Sequence, residues 1–222
     1  MKNVARTVLR LGLALGLGLS PAAAAFAENA LTPAFEAFQK AWSSIDNYHE
    51  TIVVHEIYQN NTQDRTYDYS FKKPSFAHIE VTSGPGRGSG ALWRGGDSVK
   101  GHQGGFLSMM HMNVPIGDKR ATSLRGDTID VASFAYELKH FLDTPGTLSE
   151  GAGPTLEGVT TTAVTLAVAE PAKNKDVSKD VLDISNETHL PVRREQYAGD
   201  TLVKTETFRN VQLNPGLKDS DF

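Results

Sequence analysis

Three strand-like runs follow one another between Tyr67 and His102, and a meander of this kind commits a chain to an antiparallel sheet. Tyr67-Asp68-Tyr69-Ser70-Phe71 alternates apolar and polar side chains, which gives one apolar and one wet face. Pro74 cannot donate to a strand ladder and ends the run. Ala77-His78-Ile79-Glu80-Val81 alternates again. After the glycine-rich stretch Gly84–Gly90, Ala91-Leu92-Trp93 re-enters the sheet, and Gly95-Gly96-Asp97 turns the chain back through Ser98–His102. Something must cover the apolar face of such a meander.

Two helices are expected. Thr32-Pro33 reads as an N-cap with proline at the first helical position. Phe35, Phe38, Ala41, Trp42 and Ile45 then recur at helical spacing up to Asp46-Asn47. Val131 to Leu142 places Phe134, Leu138, Phe141 and Leu142 on one side, and Thr144-Pro145-Gly146 stops it. Strands are expected at Tyr48–Tyr58, Val159–Val168, Val181–Ile184, Val192–Tyr197 and Leu202–Leu213. Residues 104–128 read as irregular and Lys173–Lys179 as a charged loop. The order is helix, about five strands, an irregular segment with a helix, then about four strands. Two helices are too few to wrap such a sheet from outside. The economical fold is α+β and mostly β: a strongly curved antiparallel sheet forming an unclosed half-barrel, with the helices lidding its concave face.

The N-terminus reads as an export leader. Lys2, Arg6 and Arg10 precede a short apolar run, Leu11–Leu19, and Ala25-Phe26-Ala27 fits a signal-peptidase site. The expectation is a cleaved signal peptide over 1–27 and a single domain over 28–222, located in the periplasm as a soluble monomer. The chain has no cysteine, which excludes lipidation at an N-terminal cysteine, disulfides and thiolate metal sites. Cleavage removes three basic residues and no acidic one, taking the formal charge from −4 to −7. That balance argues against nucleic acid or anionic lipid headgroups as partners through bulk electrostatics.

Several stretches together resemble the LolA-like periplasmic family: Ile45-Asp46-Asn47-Tyr48 after the first helix, Phe71-Lys72-Lys73-Pro74-Ser75-Phe76, and Trp93-Arg94-Gly95-Gly96-Asp97-Ser98-Val99. The tail is similar in kind, with Thr207–Val211, Asn214-Pro215-Gly216-Leu217 and the closing Asp221-Phe222. The family includes carriers that move lipoproteins to the outer membrane, and relatives that bind lipids or lipidated proteins. The resemblance implies an unclosed barrel whose helices lid an apolar cavity for acyl chains. Lipoprotein carriers of the family place an arginine, which helps hold the lid, where this chain has Lys73. Lysine lacks the bidentate fork, so that latch does not transfer as it stands and Lys73 is only its candidate.

Large apolar groups on the two helices, the meander and the methionine-rich segment are the candidate ligand lining: Trp42, Phe71, Trp93, Phe106, Met109, Met110, Phe134 and Phe141. Unbranched thioethers suit an irregular apolar ligand. Met-Met-His-Met with His102 nearby also permits a weaker alternative, a soft Cu(I) site using His102, His111 and Met112. Ser70-Phe71-Lys72-Lys73 spells the S-x-x-K of acylating enzymes, but in a strand residues three apart face opposite sides. Gly84–Gly90 lacks phosphate-loop spacing. No acid/base pair or nucleophile triad is legible and no cofactor is expected. The expected function is a binder, a carrier or receptor for the acyl chains of lipids or lipoproteins, of the kind used in outer-membrane lipoprotein or lipid trafficking. The alternative is a sensor or adaptor contacting an envelope protein through the same fold.

Overall fold

The computed structural model describes residues 31–222; the leader and its cleavage site lie outside the described residues. Helix α1 (Pro33–Ser43) leads into β1 (Asn47–Tyr58), β2 (Asn61–Lys72), β3 (Phe76–Ser83), β4 (Gly90–Trp93), β5 (Ser98–His102) and β6 (His111–Pro115). A connecting segment with one 3-10 turn (Ile129–Ala132) carries the chain to α2 (Phe134–Asp143). Strands β7 (Gly146–Leu156), β8 (Val159–Val168), β9 (Lys179–Ser185), β10 (Pro191–Ala198) and β11 (Thr201–Leu213) complete the chain.

All eleven strands form one sheet in the order β6-β5-β4-β3-β2-β1-β11-β10-β9-β8-β7. Every neighbouring pair is antiparallel. Strand β1 is the keystone: it pairs with β2 on one side and with β11 on the other, so the first and last strands close the middle of the sheet. Strands β6 and β7 are free edges and the barrel stays open. Two strands exceed the sequence expectation, and both are those edges. Gly146–Leu156 carries three glycines and a proline and is largely exposed; His111–Pro115 buries only Val114. Neither shows an apolar alternation, because an edge strand buries little.

The helices pack through aromatic rings. Phe35 and Phe38 of α1 and Phe134 and Phe141 of α2 are fully buried. Phe134 stacks on Tyr48 of β1 with ring centroids 4.6 Å apart, and Phe35 stacks on Phe141 at 5.8 Å. Trp42 closes the group against Tyr48, Phe71 and Phe134. Each such ring stabilises the fold by about 1.5–3 kcal/mol through burial alone. The helix ends are fixed by side chains. Ser133 caps α2 by accepting from the Tyr136 N–H at 3.1 Å. Thr32 stands at the cap position of α1 but makes no side-chain cap bond. There Glu150 of edge strand β7 accepts from the Ala34 N–H at 2.9 Å, placing a negative charge at the helix N-terminus.

The stretches that carry the family resemblance meet at one end of the sheet. The Lys73 N–H donates to the Asp46 carbonyl at 2.8 Å. Asn214 Oδ1 accepts from the Asp46 N–H at 2.8 Å, and Asn47 Oδ1 accepts from the Leu217 N–H at 3.1 Å. Arg94 Nε donates to the Phe222 carbonyl at 2.7 Å. These motifs are the fastening of the tail and of α1 to the sheet.

Candidate functional site

Cross-strand register explains why the sheet has a cavity. On the concave face one row runs Glu50, Tyr69, Ile79, Ala91, Gly101 across β1 to β5, as the pairings Glu50↔Tyr69, Tyr69↔Ile79, Ile79↔Ala91 and Ala91↔Gly101 show. Side chains shrink along that row from a phenol to a hydrogen atom. The connecting segment between β6 and α2 passes over it and cannot fill the space. A cavity of about 160 Å³ remains, walled by Ile52, Val54, Ile79, Val81, Ala91, Met112 and Val114 and roofed by Ile129, Val131 and Ala132. Gln103, Met112 and Arg120 are the lining residues most open to solvent and mark its mouth at the β6 edge.

The inner end of the cavity is charged. Lys204, buried on β11, donates to Asp127 at 2.8 Å and to Glu206 at 2.8 Å, with Glu56 at 3.7 Å. Burial alone would lower the Lys204 pKa, but Asp127, Glu206 and Glu56 outweigh it and hold the ammonium well above its usual range. The same contacts fasten the roof. Glu56 accepts from the Leu124 N–H at 3.0 Å, and Tyr69 donates its hydroxyl to the Ile129 carbonyl at 3.3 Å.

Beside this end a second buried cluster anchors α2. Arg194 on β10 grips Asp180 of β9 with both Nε (2.9 Å) and Nη2 (2.5 Å), while Nη1 reaches Glu137 of α2 at 2.9 Å and Glu206 at 3.8 Å. Burial works against ionisation of Asp180, but the Arg194 charge and the hydrogen bonds from Arg194 and His140 hold it well below the usual carboxylate range. Burial lowers the His140 pKa and keeps the ring neutral, so its Nε2–H donates to Asp180 at 3.0 Å and Nδ1 accepts from Thr144 at 3.2 Å. Glu50 of β1 is fully buried and neither of its oxygens has a hydrogen-bond partner. Burial, then Glu206 and Glu137, push its pKa well above the usual range, which favours the neutral acid.

The sequence candidates divide into three groups in space. Trp42, Phe71, Phe134 and Phe141 come together, but as the packed core under the helices, and none of them lines the cavity. Trp93 packs at the margin of that core and donates its indole N–H to the Gly96 carbonyl at 2.9 Å. Phe106, Met109 and Met110 protrude into solvent beyond the mouth. Of the weaker metal set, His102 and His111 face each other across β5 and β6 with ring centroids 5.5 Å apart. Met112 is the next strand residue, so it points to the opposite face and does not join them. Among the described residues no group of three or more His, Cys, Asp or Glu side chains is placed to hold a metal ion.

Lys73 reaches the last turn of α1. Its ammonium donates to the Trp42 carbonyl in the last turn at 2.7 Å and stands 4.2 Å from the Trp42 ring centroid. Lys73→Met is therefore expected to cost about 1–2 kcal/mol in a urea titration, from one charge-assisted hydrogen bond and one cation–π contact. A loss below a few tenths would show that the contact does not hold the helix.

The charged residues were missed because strand alternation alone does not say which face is inside. The available signal is Lys204-x-Glu206-x-Phe208, which puts two charges on the face of a core phenylalanine.

No family model matches the chain, and no curated protein matches it. Similar solved structures exist. A DUF1329 family protein from Desulfovibrio piger is 14% identical over 85% of this chain and 95% of that one, with a TM-score of 0.49. A putative outer membrane lipoprotein-sorting protein domain from Vibrio parahaemolyticus is 12% identical over 84% and 94%, at 0.46. The LolA superfamily protein NE2245 from Nitrosomonas europaea is 12% identical over 87% and 98%, at 0.40.

Proposed function

We propose that the chain is an exported, periplasmic carrier or receptor that buries the acyl chain of a lipid or lipoprotein in the cavity between β3–β6 and the 120–132 segment. The observation that supports this reading is the tapering row from Tyr69 to Gly101. It leaves an apolar slot with a mouth at a free sheet edge and a charged inner end, a form that suits binding rather than catalysis. Each methylene buried there contributes about 0.8 kcal/mol.

Size limits what fits without movement. An engineered apolar cavity of about 150 Å³ holds one benzene, so 160 Å³ takes a short stretch of hydrocarbon. A full acyl chain requires the 120–132 segment to rise from the sheet, against the Tyr69, Glu56 and Lys204 contacts that hold it. Loading is therefore coupled to a roof movement.

Ala91→Phe fills the slot from its floor. The variant is expected to keep a folded circular-dichroism spectrum and to lose binding of a fluorescent long-chain fatty acid, measured by emission titration. Unchanged uptake would remove the acyl chain from this cavity.

A further inference from the structure

The mouth of the cavity lies beside a protruding tip. The β3–β4 connection (84–89) and the β5–β6 connection (103–110) leave the same end of the sheet and touch: a Cβ on Gly104 would stand 2.1 Å from the Arg87 carbonyl oxygen, so only glycine allows the two backbones this close. Phe106 is 99% exposed, Met109 90% and Met110 62%. Single exposed apolar residues are ordinary, but three large ones within five positions, two of them at least nine-tenths exposed, are not. Residues 98–117 contain Lys100, His102 and His111 and no carboxylate, and the 84–89 connection contributes Arg87 and no carboxylate, in a chain whose formal charge is −4. Asp64, at the neighbouring backbone of Gly84, is engaged by His55 at 2.7 Å.

We infer that this tip docks on an anionic lipid surface, with Phe106, Met109 and Met110 entering the acyl layer and Arg87 and Lys100 meeting the headgroups. Side chains that stand out singly from a glycine-rich tip suit a soft medium that closes around them. A folded protein partner would instead need a pocket for each. Met112, exposed and on the cavity wall, joins the tip to the mouth, so a docked molecule presents its slot to the lipid. That last consequence rests on the carrier reading; the docking itself does not.

The test is cosedimentation of the full mature chain with vesicles of phosphatidylglycerol and phosphatidylcholine, beside vesicles of phosphatidylcholine alone. Binding to the anionic vesicles is expected, falling about tenfold or more in the triple variant Phe106→Ser, Met109→Ser, Met110→Ser, and falling in Arg87→Gln on the anionic vesicles only. These side chains are exposed, and circular dichroism checks that the variants fold. A second readout is Phe106→Trp, whose emission should shift to the blue on vesicle addition. Ala91→Phe should bind vesicles as the parent does while failing to take up fatty acid, which separates docking from the cavity. No vesicle binding by the parent, or equal binding by the triple variant, would overturn the inference even if fatty-acid uptake stands. Retention on a protein partner that the triple variant loses, without vesicle binding, would overturn it in favour of a protein surface.

Discussion

Replacing Arg194 by methionine lowers the unfolding free energy by about 3–5 kcal/mol, the loss expected when one partner of a buried ion cluster is removed. Arg194 is 2% exposed and stands between Asp180, Glu137 and Glu206, each buried. Without the guanidinium, Asp180 keeps only His140 and Gln196 as side-chain donors, and Glu137 loses the Arg194 hydrogen bond to its Oε1. These carboxyls must then take up protons or draw in water. The residue also fixes geometry, because Glu137 and His140 lie on α2 while Asp180 and Arg194 lie on adjacent strands. Loss of the clamp should loosen α2 before the sheet. The expected pattern is a large fall in urea midpoint, with amide exchange fastest in residues 134–143. Replacing Asp180 and Glu137 as well, by leucine and methionine, should recover much of the loss, since the charges then go together. A change under about 1 kcal/mol in Arg194→Met would show that the cluster is solvated in solution.

The second large effect is on pH. Glu50 faces Tyr48 on its own strand, Tyr69 on β2, Glu206 on β11 and Glu137 on α2, and its oxygens accept no hydrogen bond. Its folded pKa is raised above the ordinary 4.5, so its contribution is fully present below that value. Between the two pKa values the unfolded chain releases the proton and the fold retains it. Stability therefore falls as pH rises, by about 1.4 kcal/mol per pH unit for each such group, until the folded pKa is passed. Asp180 has the opposite sign, since its depressed pKa stabilises above the ordinary 3.8 and is lost as the medium turns acid. Maximum stability is expected in mild acid. Glu50→Gln, which cannot ionise, should remove one such slope and gain stability at neutral pH. Urea midpoints at about pH 5, 7 and 9 measure it. Parallel profiles for parent and variant would mean that Glu50 is ionised in the fold.

Much of this architecture is legible in the residues. Phe35, Phe38 and Trp42 mark α1, Gly95-Gly96-Asp97 marks the β4–β5 turn, and the alternation of β2 and β3 marks a half-buried antiparallel sheet. Thr32 marks where α1 starts, yet its cap bond comes from Glu150, more than a hundred positions away. The site is less legible. Looking for large apolar groups finds Phe71, Phe134 and Phe141, and those fill the core. A cavity forms where bulk is missing, at Ala91 and Gly101, and the register that aligns them belongs to pairing, which no single strand reveals. Ile52-Val53-Val54 is apolar on both faces, so the side that carries Glu50 and Glu56 inward is not decided by pattern alone.

Native mass spectrometry of the mature chain, exported to a bacterial periplasm and purified without detergent, tests the acyl-binding claim most directly. The expected result is a bound mass that fragments to an acyl chain in the parent and is missing from Ala91→Phe. A parent that arrives empty and stays empty when long-chain fatty acid and phospholipid are added would contradict it.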